Sequence, residues 1–370
     1  MVKYEIYAGN TLCAVYEGEL YIIDENKAPL YLSDFRRWVE ARAISDKRGY
    51  IARLLKQSSS LSATAGDYET SLKANCACIT DNFWVKEAGS SLTYEDVSYD
   101  TYDGHLAKLA LGIDTDLRDY RSDERNPELT NIGDSNKAWI TDRRGVRWLY
   151  KRQWLKECYN EVLTAKIARK LGINTVDYEL VSKTEDPEKG RWGLVRSRDF
   201  TQGKGVNLEH AFMILDHFGI SVSDIKGNAE IFRGYGCEKD YLDIIYLDII
   251  TGNGDRHDLN YGILRSRDNG RVLGLAPNYD NNFAFTRDLS MTGFAITAAE
   301  RDYDPPVLSD EDIHILESEM SAIGCDSKLQ IDSVLWKQKS VKKEIEKRRR
   351  IIDRTTEAIK TEQVEEDISI

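Results

Sequence analysis

A largely apolar helix that ends at two glycines constrains this chain more than any other stretch of its sequence. Between residues 241 and 250, apolar side chains recur at the spacing of a buried helix. Gly252 and Gly254 follow, and glycine releases the backbone from helical geometry. We therefore expect a tight loop that projects polar groups beyond the end of the helix.

Three side chains with oxygen ligands lie in and after this loop. Asp255 and Asn260 are close in sequence, and Asp280 follows a hairpin that the Asp268–Gly270 turn signal predicts between two short apolar runs. The hairpin is expected to return Asp280 toward Asp255 and Asn260. Carboxylates and a carboxamide in one cleft form a hard-oxygen site that Mg²⁺ accepts together with water and phosphate oxygens. This layout favours phosphoryl transfer.

The length and the charge of the chain limit its fold and its partners. A chain of 370 residues buries roughly three quarters of its unfolded surface, which allows a large core and several subdomains. The formal net charge of −12 disfavours direct binding of nucleic acid, and it also repels nucleotides. A bound nucleotide would therefore need local positive charge and metal ions.

The cysteines and the apolar segments indicate the compartment. The six cysteines include no C-x-x-C pair, so we expect reduced thiols that are buried or incidental. No apolar run approaches the roughly 20 residues that span a bilayer. We expect a soluble, cytoplasmic protein that does not contact a membrane.

The first part of the chain is expected to be an accessory module without a catalytic cluster. Alternating apolar and polar residues predict a small antiparallel sheet over residues 1–24. A helical pattern follows over residues 35–55, with Ser33 or Asp34 as its cap. The remainder is expected to be irregular, with a buried patch at Asn82–Val85.

Two predicted strands and a polar loop carry the next candidate site. Lys137–Ile140 and Val146–Lys151 are expected to pair across a turn. The loop before them contains Gly133 and Ser135. Such a loop can direct backbone N–H groups and a hydroxyl at phosphate oxygens, although the same sequence also suits an ordinary turn. Lys151 ends a mostly apolar strand, so its ammonium either enters a cleft or stays in solvent.

An amphipathic helix follows the second strand. Apolar residues recur at helical spacing from Trp154 to Leu171, and Gly172 is expected to end the helix. Glu161 lies inside this helix, where it is either a surface charge or the partner that fixes Lys151 near nucleotide phosphates.

The composition changes from strands to helices near the middle of the chain. Asn174–Val181 and Arg191–Arg198 are predicted strands, and the connection Ser197–Asn207 is the best internal boundary. Beyond it a helix is expected over residues 208–217, before the helix at Tyr241. A strand-rich lobe and a helix-rich lobe with a cleft between them follow from this order.

The C-terminal part of the chain is predicted to be helical. Ser309 begins a capping-box pattern, and residues 336–360 have one aliphatic face for docking on the core. That face consists of Val341, Ile345, Ile352 and Ile359. Residues 337–350 are strongly basic, and we expect a solvated helix face in preference to a partner-binding surface. The acidic tail from Thr361 is expected to be disordered.

The order of these residues resembles the HipA-like serine/threonine kinases. The features that carry the resemblance are Lys151, the pair Asn160-Glu161, Asp255-Arg-His257 with Asn260, and Pro277–Asp280. The resemblance covers residues 126–290 well and the C-terminal helices loosely. No single motif is specific, and the order and separations together carry the likeness.

This resemblance implies a bilobal, protein-kinase-like α+β fold with a strand-rich N-lobe and a helical C-lobe. It implies the use of ATP and Mg²⁺. The expected domains are an accessory module over 1–125, an ATP-binding N-lobe over 126–203, a catalytic C-lobe over 204–360 and the tail 361–370.

The resemblance also implies the roles of the catalytic residues. Asp255 would be the catalytic base or the carboxylate that orients the accepting hydroxyl. Asn260 and Asp280 would hold the metal ion. Lys151 would contact ATP phosphates, with Glu161 as its partner.

The remaining nucleotide contacts implied by the resemblance lie in two loops. Gly133, Ser135 and Lys137 would form the phosphate loop, which has one glycine where ordinary protein kinases have three. His257 is expected to brace its loop through hydrogen bonds in preference to carrying protons. Asn278-Tyr279-Asp280 stands where ordinary protein kinases have Asp-Phe-Gly.

The identity of the phosphate acceptor stays open at this point. The leading hypothesis is a serine/threonine kinase for a protein substrate, as the toxin of a toxin–antitoxin pair with a small helix-turn-helix antitoxin as partner. Gly252–His257 also resembles the catalytic loop of phosphatidylinositol kinases, so a lipid or small-metabolite kinase is one alternative. A pseudokinase that only binds a partner is the other.

Overall fold

Two compact units make up the protein in a computed structural model that describes residues 2–120, 125–186 and 190–368. Unit 1 comprises Met1–Cys158, Val176–Gly219 and Asp258–Pro277. Unit 2 comprises Tyr159–Thr175, Ile220–His257 and Asn278–Ile370. All three sheets belong to unit 1, and unit 2 is mainly helical.

An antiparallel sheet begins unit 1. Its strands are β1 (Tyr4–Ala8), β2 (Thr11–Tyr16), β3 (Leu20–Ile22) and β4 (Phe83–Glu87), in the order β3-β2-β1-β4. The predicted sheet over residues 1–24 is confirmed. The predicted buried patch is also confirmed, because Phe83, Trp84 and Val85 are buried in β4.

The continuous helix predicted over residues 35–55 is wrong. The structure has α1 (Phe35–Glu40), capped by the Asp34 side chain, then a 3-10 turn at Asp46–Arg48 and α2 (Tyr50–Ser58). The chain leaves the helix because the Ile44 N–H donates to the Leu129 carbonyl, 2.7 Å away. A tertiary hydrogen bond thus overrides local helical propensity.

Three short helices complete the N-terminal part: α3 (Asp67–Lys73), α4 (Tyr94–Val97) and α5 (Ala107–Ala110). The apolar faces of α2 and α5 pack against the next sheet in one core cluster that includes Leu55, Leu109 and Ala138. This packing brings the turn at Asp46–Arg48 to the start of the next sheet.

The second sheet contains the predicted nucleotide strands. Its members are β5 (Asn136–Thr141), β6 (Arg147–Trp154), β7 (Tyr178–Asp186) and β8 (Gly190–Arg198), in the order β5-β6-β8-β7. Helix α6 (Leu155–Lys170) follows β6, and Gly172 lies just beyond it with a φ of +72°. The predicted strands Lys137–Ile140, Val146–Lys151 and Arg191–Arg198 and the predicted helix are therefore confirmed. The strand predicted over Asn174–Val181 instead begins at Tyr178 and continues to Asp186, while residues 187–189 lie outside the described residues.

A third sheet replaces part of a predicted helix. It consists of β9 (Val206–His210), β10 (Gly262–Ser266) and β11 (Val272–Leu275), with β10 in the centre. The hairpin around Gly270 is confirmed. The helix predicted over residues 208–217 is wrong at its start, because β9 pairs with β10 before α7 (Ala211–Phe218) begins.

Unit 2 is built from five further helices: α8 (Ile225–Gly234), α9 (Glu238–Thr251), α10 (Thr292–Glu300), α11 (Asp310–Ala322) and α12 (Lys328–Ile368). The predicted apolar helix is α9, in which almost every residue from Tyr241 to Thr251 is buried. Ser309 and Asp312 form the predicted capping box of α11.

Helix α12 follows the predicted face only in part. Val341 and Ile345 are buried, whereas Ile352 is 37% exposed, so its prediction as a core residue is wrong. The side chain of Ile359 lies outside the described residues. The helix continues to Ile368, into the segment that was expected to be disordered, and residues 369–370 are outside the described ranges.

The cysteines are free, as expected. Four of them are buried and two are intermediate in exposure. Among the residues that the structure describes, no helix has the length and the apolar composition needed to cross a membrane.

Candidate active site

The loop after α9 exposes Asp255 from a firmly held backbone. Gly252 ends the helix in the left-handed conformation, with a φ of +68°. The Asn253 N–H donates to the Asp248 carbonyl, 2.9 Å away, and the His257 N–H donates to the Asp255 carbonyl over the same distance. Asp255 itself is exposed, so its carboxylate is accessible from solvent.

Arg256 joins this loop to the segment that contains Asp280. Its guanidinium donates two hydrogen bonds to the Asp248 carboxylate, at 2.8 and 2.9 Å. It also donates to the Tyr279 carbonyl and to the side-chain oxygens of Asn278 and Asn281, all within 2.9 Å. The candidate catalytic loop and the candidate metal-binding loop therefore share one buried cation.

The electrostatics of Arg256 and Asp248 keep the guanidinium that joins the two loops charged. Both side chains are more than nine-tenths buried. Burial acts to lower the pKa of Arg256, but the charge of Asp248 and its hydrogen bonds outweigh burial and raise that pKa. The guanidinium stays charged, and a bidentate pair of this kind has a fixed geometry.

Asp280 lies in a backbone conformation that L-residues rarely adopt. Its φ is +61°, in the left-handed region, and that conformation costs on the order of 1 kcal/mol for a residue with a side chain. Strain of this kind persists where the surrounding contacts determine the conformation, and it clusters at functional sites. Hydrogen bonds to the residues that follow Asp280 hold the backbone in this conformation.

Helix α6 supplies two of these contacts. The Glu161 carboxylate accepts the Asn281 N–H at 2.8 Å, and the Asn160 side-chain amide donates to the carbonyls of Asn282 and Ala284 at 2.8 and 2.7 Å. Glu161 is fully buried, so the reading of it as a surface charge is wrong. Its predicted pairing with Lys151 stays a prediction.

Asn260 lies in unit 1, at the entry to β10. The N–H groups of Ala211 and Phe212 donate to the carbonyls of Tyr261 and Asp258, at 3.0 and 3.1 Å. These bonds hold the segment around Asn260 against the start of α7, and the Asn260 residue is 5% exposed.

Two lysines face each other in the second sheet. Lys137 of β5 and Lys151 of β6 occupy paired positions, and both are buried. The Lys151 ammonium lies 5.5 Å from the centre of the Tyr178 ring. Two ammonium groups on paired strand positions bring positive charge to one place in the sheet, where an anionic ligand could bind.

The loop before β5 adds two features of a phosphate site. Gly133 has a φ of +98°, and a Cβ at this position would collide with the Lys137 Nζ atom. The Ser135 Oγ atom is buried and has no hydrogen-bond partner within the described ranges. A close approach of an ammonium to the backbone, next to an unsatisfied hydroxyl, fits a ligand with several acceptor oxygens.

The N-terminal part braces this loop through residues that sequence reasoning missed. Arg48 is buried and donates to the carbonyls of Asn131, Gly133 and Lys137. The Asp134 carboxylate accepts hydrogen bonds from Ser45 at 2.6 Å and from Lys47 at 2.9 Å. No local signal marks these residues, because their partners are more than 80 positions away along the chain.

The comparison with known proteins bears on this arrangement of residues. A family model described as the HipA-like C-terminal domain matches residues 131–362, which is more than half of the chain. The chain belongs to the HipA-like family. No curated protein matches this HipA-like protein in sequence.

Two solved structures are similar to this HipA-like protein. A chain of the Shewanella oneidensis MR-1 toxin–antitoxin complex of HipA, HipB and operator DNA is 12% identical, with a TM-score of 0.52 over 94% of this chain and 99% of that chain. The Helicobacter pylori proinflammatory kinase CtkA is 14% identical, with a TM-score of 0.39 over 60% of this chain and 92% of that chain. The predicted kinase-like α+β fold, with a strand-rich and a helical part, is confirmed.

The structure distributes the predicted site residues of the HipA-like protein over both units. Unit 1 contains Gly133, Ser135, Lys137, Lys151 and Asn260, whereas unit 2 contains Glu161, Asp255, His257 and Asp280. Contacts inside unit 2 bring the Asp255 loop and the Asp280 loop together, with Glu161 beside the latter. Within the described ranges, no cluster of three or more His, Cys, Asp or Glu side chains suits a metal ion. The predicted ligands, one carboxylate and one carboxamide, would have to be completed by phosphate oxygens and water.

Proposed function

We propose that this HipA-like protein is an ATP- and Mg²⁺-dependent serine/threonine kinase that transfers the γ-phosphate to a protein hydroxyl. The observation that carries the proposal is the set of contacts around Arg256, which joins the loop of the exposed Asp255 and the loop of the strained Asp280 to one buried cation. Phosphoryl transfer depends on alignment and on stabilisation of charge, so rigidly held carboxylates are the feature it requires.

The residues of the chain then have separate tasks. Asp255 orients the accepting hydroxyl and takes its proton. Asp280 and Asn260 offer the hard oxygens that a magnesium ion accepts, and the ion when bound neutralises charge on the phosphates. The chemistry of these donors fits Mg²⁺ in preference to softer metals.

The nucleotide phosphates would lie against unit 1 residues. The buried ammonium groups of Lys137 and Lys151 and the unsatisfied hydroxyl of Ser135 support this proposal. Positive charge at this position also offsets the repulsion that a chain of net charge −12 exerts on ATP.

Two substitutions test the function directly. Asp255→Ala and Asp280→Ala should each lower Mg²⁺-dependent transfer of labelled phosphate from ATP by about a hundredfold or more. Asp268→Ala removes an exposed carboxylate from the hairpin turn and is the matched control, which should keep wild-type activity. Full activity in either active-site variant would overturn the assignment. Binding of ATP without turnover by the wild type would favour a pseudokinase.

We also propose that the protein acts as the toxin of a toxin–antitoxin pair and binds a small helix-turn-helix antitoxin. The similarity to a chain of a HipA–HipB complex, over 94% of this chain, supports this proposal. Co-expression with the product of the adjacent gene should yield a stable complex with reduced kinase activity. Separate elution of the two proteins would contradict it.

A further inference from the structure

The segment after Asp280 crosses directly over the catalytic loop. The Phe285 N–H donates to the Thr251 carbonyl at 2.7 Å, and Phe285 has a left-handed φ of +61°. A Cβ on Gly252 would collide with the carbonyl oxygen of Arg287. Gly252 is thus required both for its left-handed backbone and for this close approach.

The side chain of Arg287 lies on the next glycine of the same loop. A Cβ built on Gly254 would lie 2.8 Å from the Arg287 Cδ atom and 3.5 Å from its Nε atom. The stem of the arginine therefore rests on the residue that immediately precedes Asp255. This contact places the side chain of Arg287 on the loop that contains Asp255, next to the residue before it.

Helix α12 holds the crossing segment in position. Lys337 forms an ion pair of 3.1 Å with Asp288, the residue after Arg287. The Lys337 Nζ atom also lies 3.1 Å from the Cβ position of Gly252. The Lys337 side chain is 9% exposed, whereas the Asp288 side chain is 92% exposed, so the ion pair is open to solvent on the Asp288 side. Helix α12 thus contacts the residue after Arg287, and the stem of Arg287 itself lies on Gly254.

The guanidinium of Arg287 is available to a ligand. The residue is exposed, and no hydrogen bond or ion pair joins its guanidinium to any residue in the described ranges. Arg256, four residues beyond Gly252 in the same loop region, instead donates to internal partners from all three of its guanidinium nitrogens. The two arginines differ in that Arg256 is internal to the loop contacts and Arg287 is exposed to solvent.

We propose that Arg287 is a specificity-determining residue that recognises an acidic side chain flanking the accepting serine or threonine of the protein substrate. The inference rests on the proposed kinase function and names the substrate class of the same site. A planar guanidinium with a fixed stem binds a carboxylate through two parallel hydrogen bonds. In a protein of net charge −12, an exposed cation on the loop that contains Asp255 would also help an acidic peptide to approach.

Matched peptides provide the test. The probes are synthetic peptides with one serine in an alanine-glycine background, with either aspartate or lysine adjacent to the serine. The wild type should favour the aspartate peptide by about fivefold in kcat/KM. Arg287→Lys should keep this preference in a weakened form, and Arg287→Glu should reverse it. The control Arg350→Glu introduces the same change of charge at an exposed position of α12 and should leave the preference unchanged.

The outcomes separate this inference from the proposed function. A wild type that phosphorylates both peptides equally, or an Arg287→Glu variant with the wild-type preference, would overturn the role of Arg287. A higher KM for ATP in Arg287→Glu, with peptide preference unchanged, would assign the arginine to the nucleotide and would also overturn it. Labelling of a protein by the wild type, with neither peptide accepted, would reject the acidic substrate class. Absence of phosphate transfer to any acceptor would reject the proposed function itself.

Discussion

Two loops carry the candidate chemistry of this protein, and a buried arginine holds each of them through different acceptors. In unit 2, Arg256 binds the Asp248 carboxylate and three neutral oxygens. In unit 1, Arg48 binds three backbone carbonyls of the loop that contains Gly133. Loss of a cation from a buried ion pair leaves an uncompensated charge, whereas loss of a donor to carbonyls leaves neutral acceptors unsatisfied, which costs less.

The largest effect is expected from Arg256→Ala. Asp248 would remain buried without its cation, so the free energy of unfolding should fall by about 3–5 kcal/mol. Phosphoryl transfer should fall by about a hundredfold, because the loops of Asp255 and Asp280 lose their common anchor. Urea unfolding and a kinase assay measure the two quantities. Arg256→Lys, which keeps the charge but not the fork of donors, should recover part of the stability and little of the activity.

In unit 1, the buried carboxyl of Glu128 is expected to make the free energy of unfolding depend on pH. Glu128 accepts hydrogen bonds from the Asn131 side chain and from the Trp139 N–H. Burial raises the pKa of this carboxyl from 4.5 to about 7, although the two hydrogen bonds act in the opposite direction. A raised pKa means that the stabilising contribution is present below the unfolded value and is lost as the pH rises through about 7.

We therefore expect Glu128 to make the protein less stable at pH 8 than at pH 5 by on the order of 2–3 kcal/mol. Other groups titrate in the same range, so the quantity to measure is the difference between wild type and Glu128→Gln. The variant should lose this part of the pH dependence. Equal slopes of unfolding free energy against pH in the two proteins would contradict the assignment.

A smaller effect is expected from Arg48→Ala. The loop at Gly133 loses three hydrogen bonds to a charged donor, and we expect a loss of about 2 kcal/mol in stability. The KM for ATP should rise about tenfold because the phosphate loop is no longer fixed. Lys47→Ala is the control: its ion pair with Asp134 is exposed and should contribute less than about 1 kcal/mol. If the two substitutions lowered stability and raised the KM for ATP equally, the buried Arg48 would hold the loop no more firmly than the exposed Lys47–Asp134 ion pair does.

The parts of this account that sequence predicted are those with local signals. Helix α9, its end at Gly252 and the hairpin at Gly270 follow from periodicity and from glycine positions. The residue types at Asp255, Asn260 and Asp280 are marked by their chemistry, while the catalytic role of Asp255 and the metal-binding roles of Asn260 and Asp280 stay predictions.

The errors have a common physical cause, which is that distant residues decide the local structure. The helix over residues 35–55 breaks because Ile44 bonds to Leu129, and His210 is in a strand because it pairs with Gly262. The roles of Arg48 and Arg256 depend in the same way on partners that the chain order separates. Nothing in the sequence around Glu161 shows that its carboxylate accepts the Asn281 N–H.

The central claim is that Arg256 and Glu161 hold one loop, at Asn281, and thereby fix Asp280 for catalysis. A double-mutant cycle of Arg256→Lys and Glu161→Ala, measured as kcat/KM for phosphate transfer, tests it most directly. The account predicts that the two losses are not additive, with a coupling of about 1 kcal/mol or more. Losses that add to within about 0.5 kcal/mol would show that the two residues act independently, and would contradict the claim.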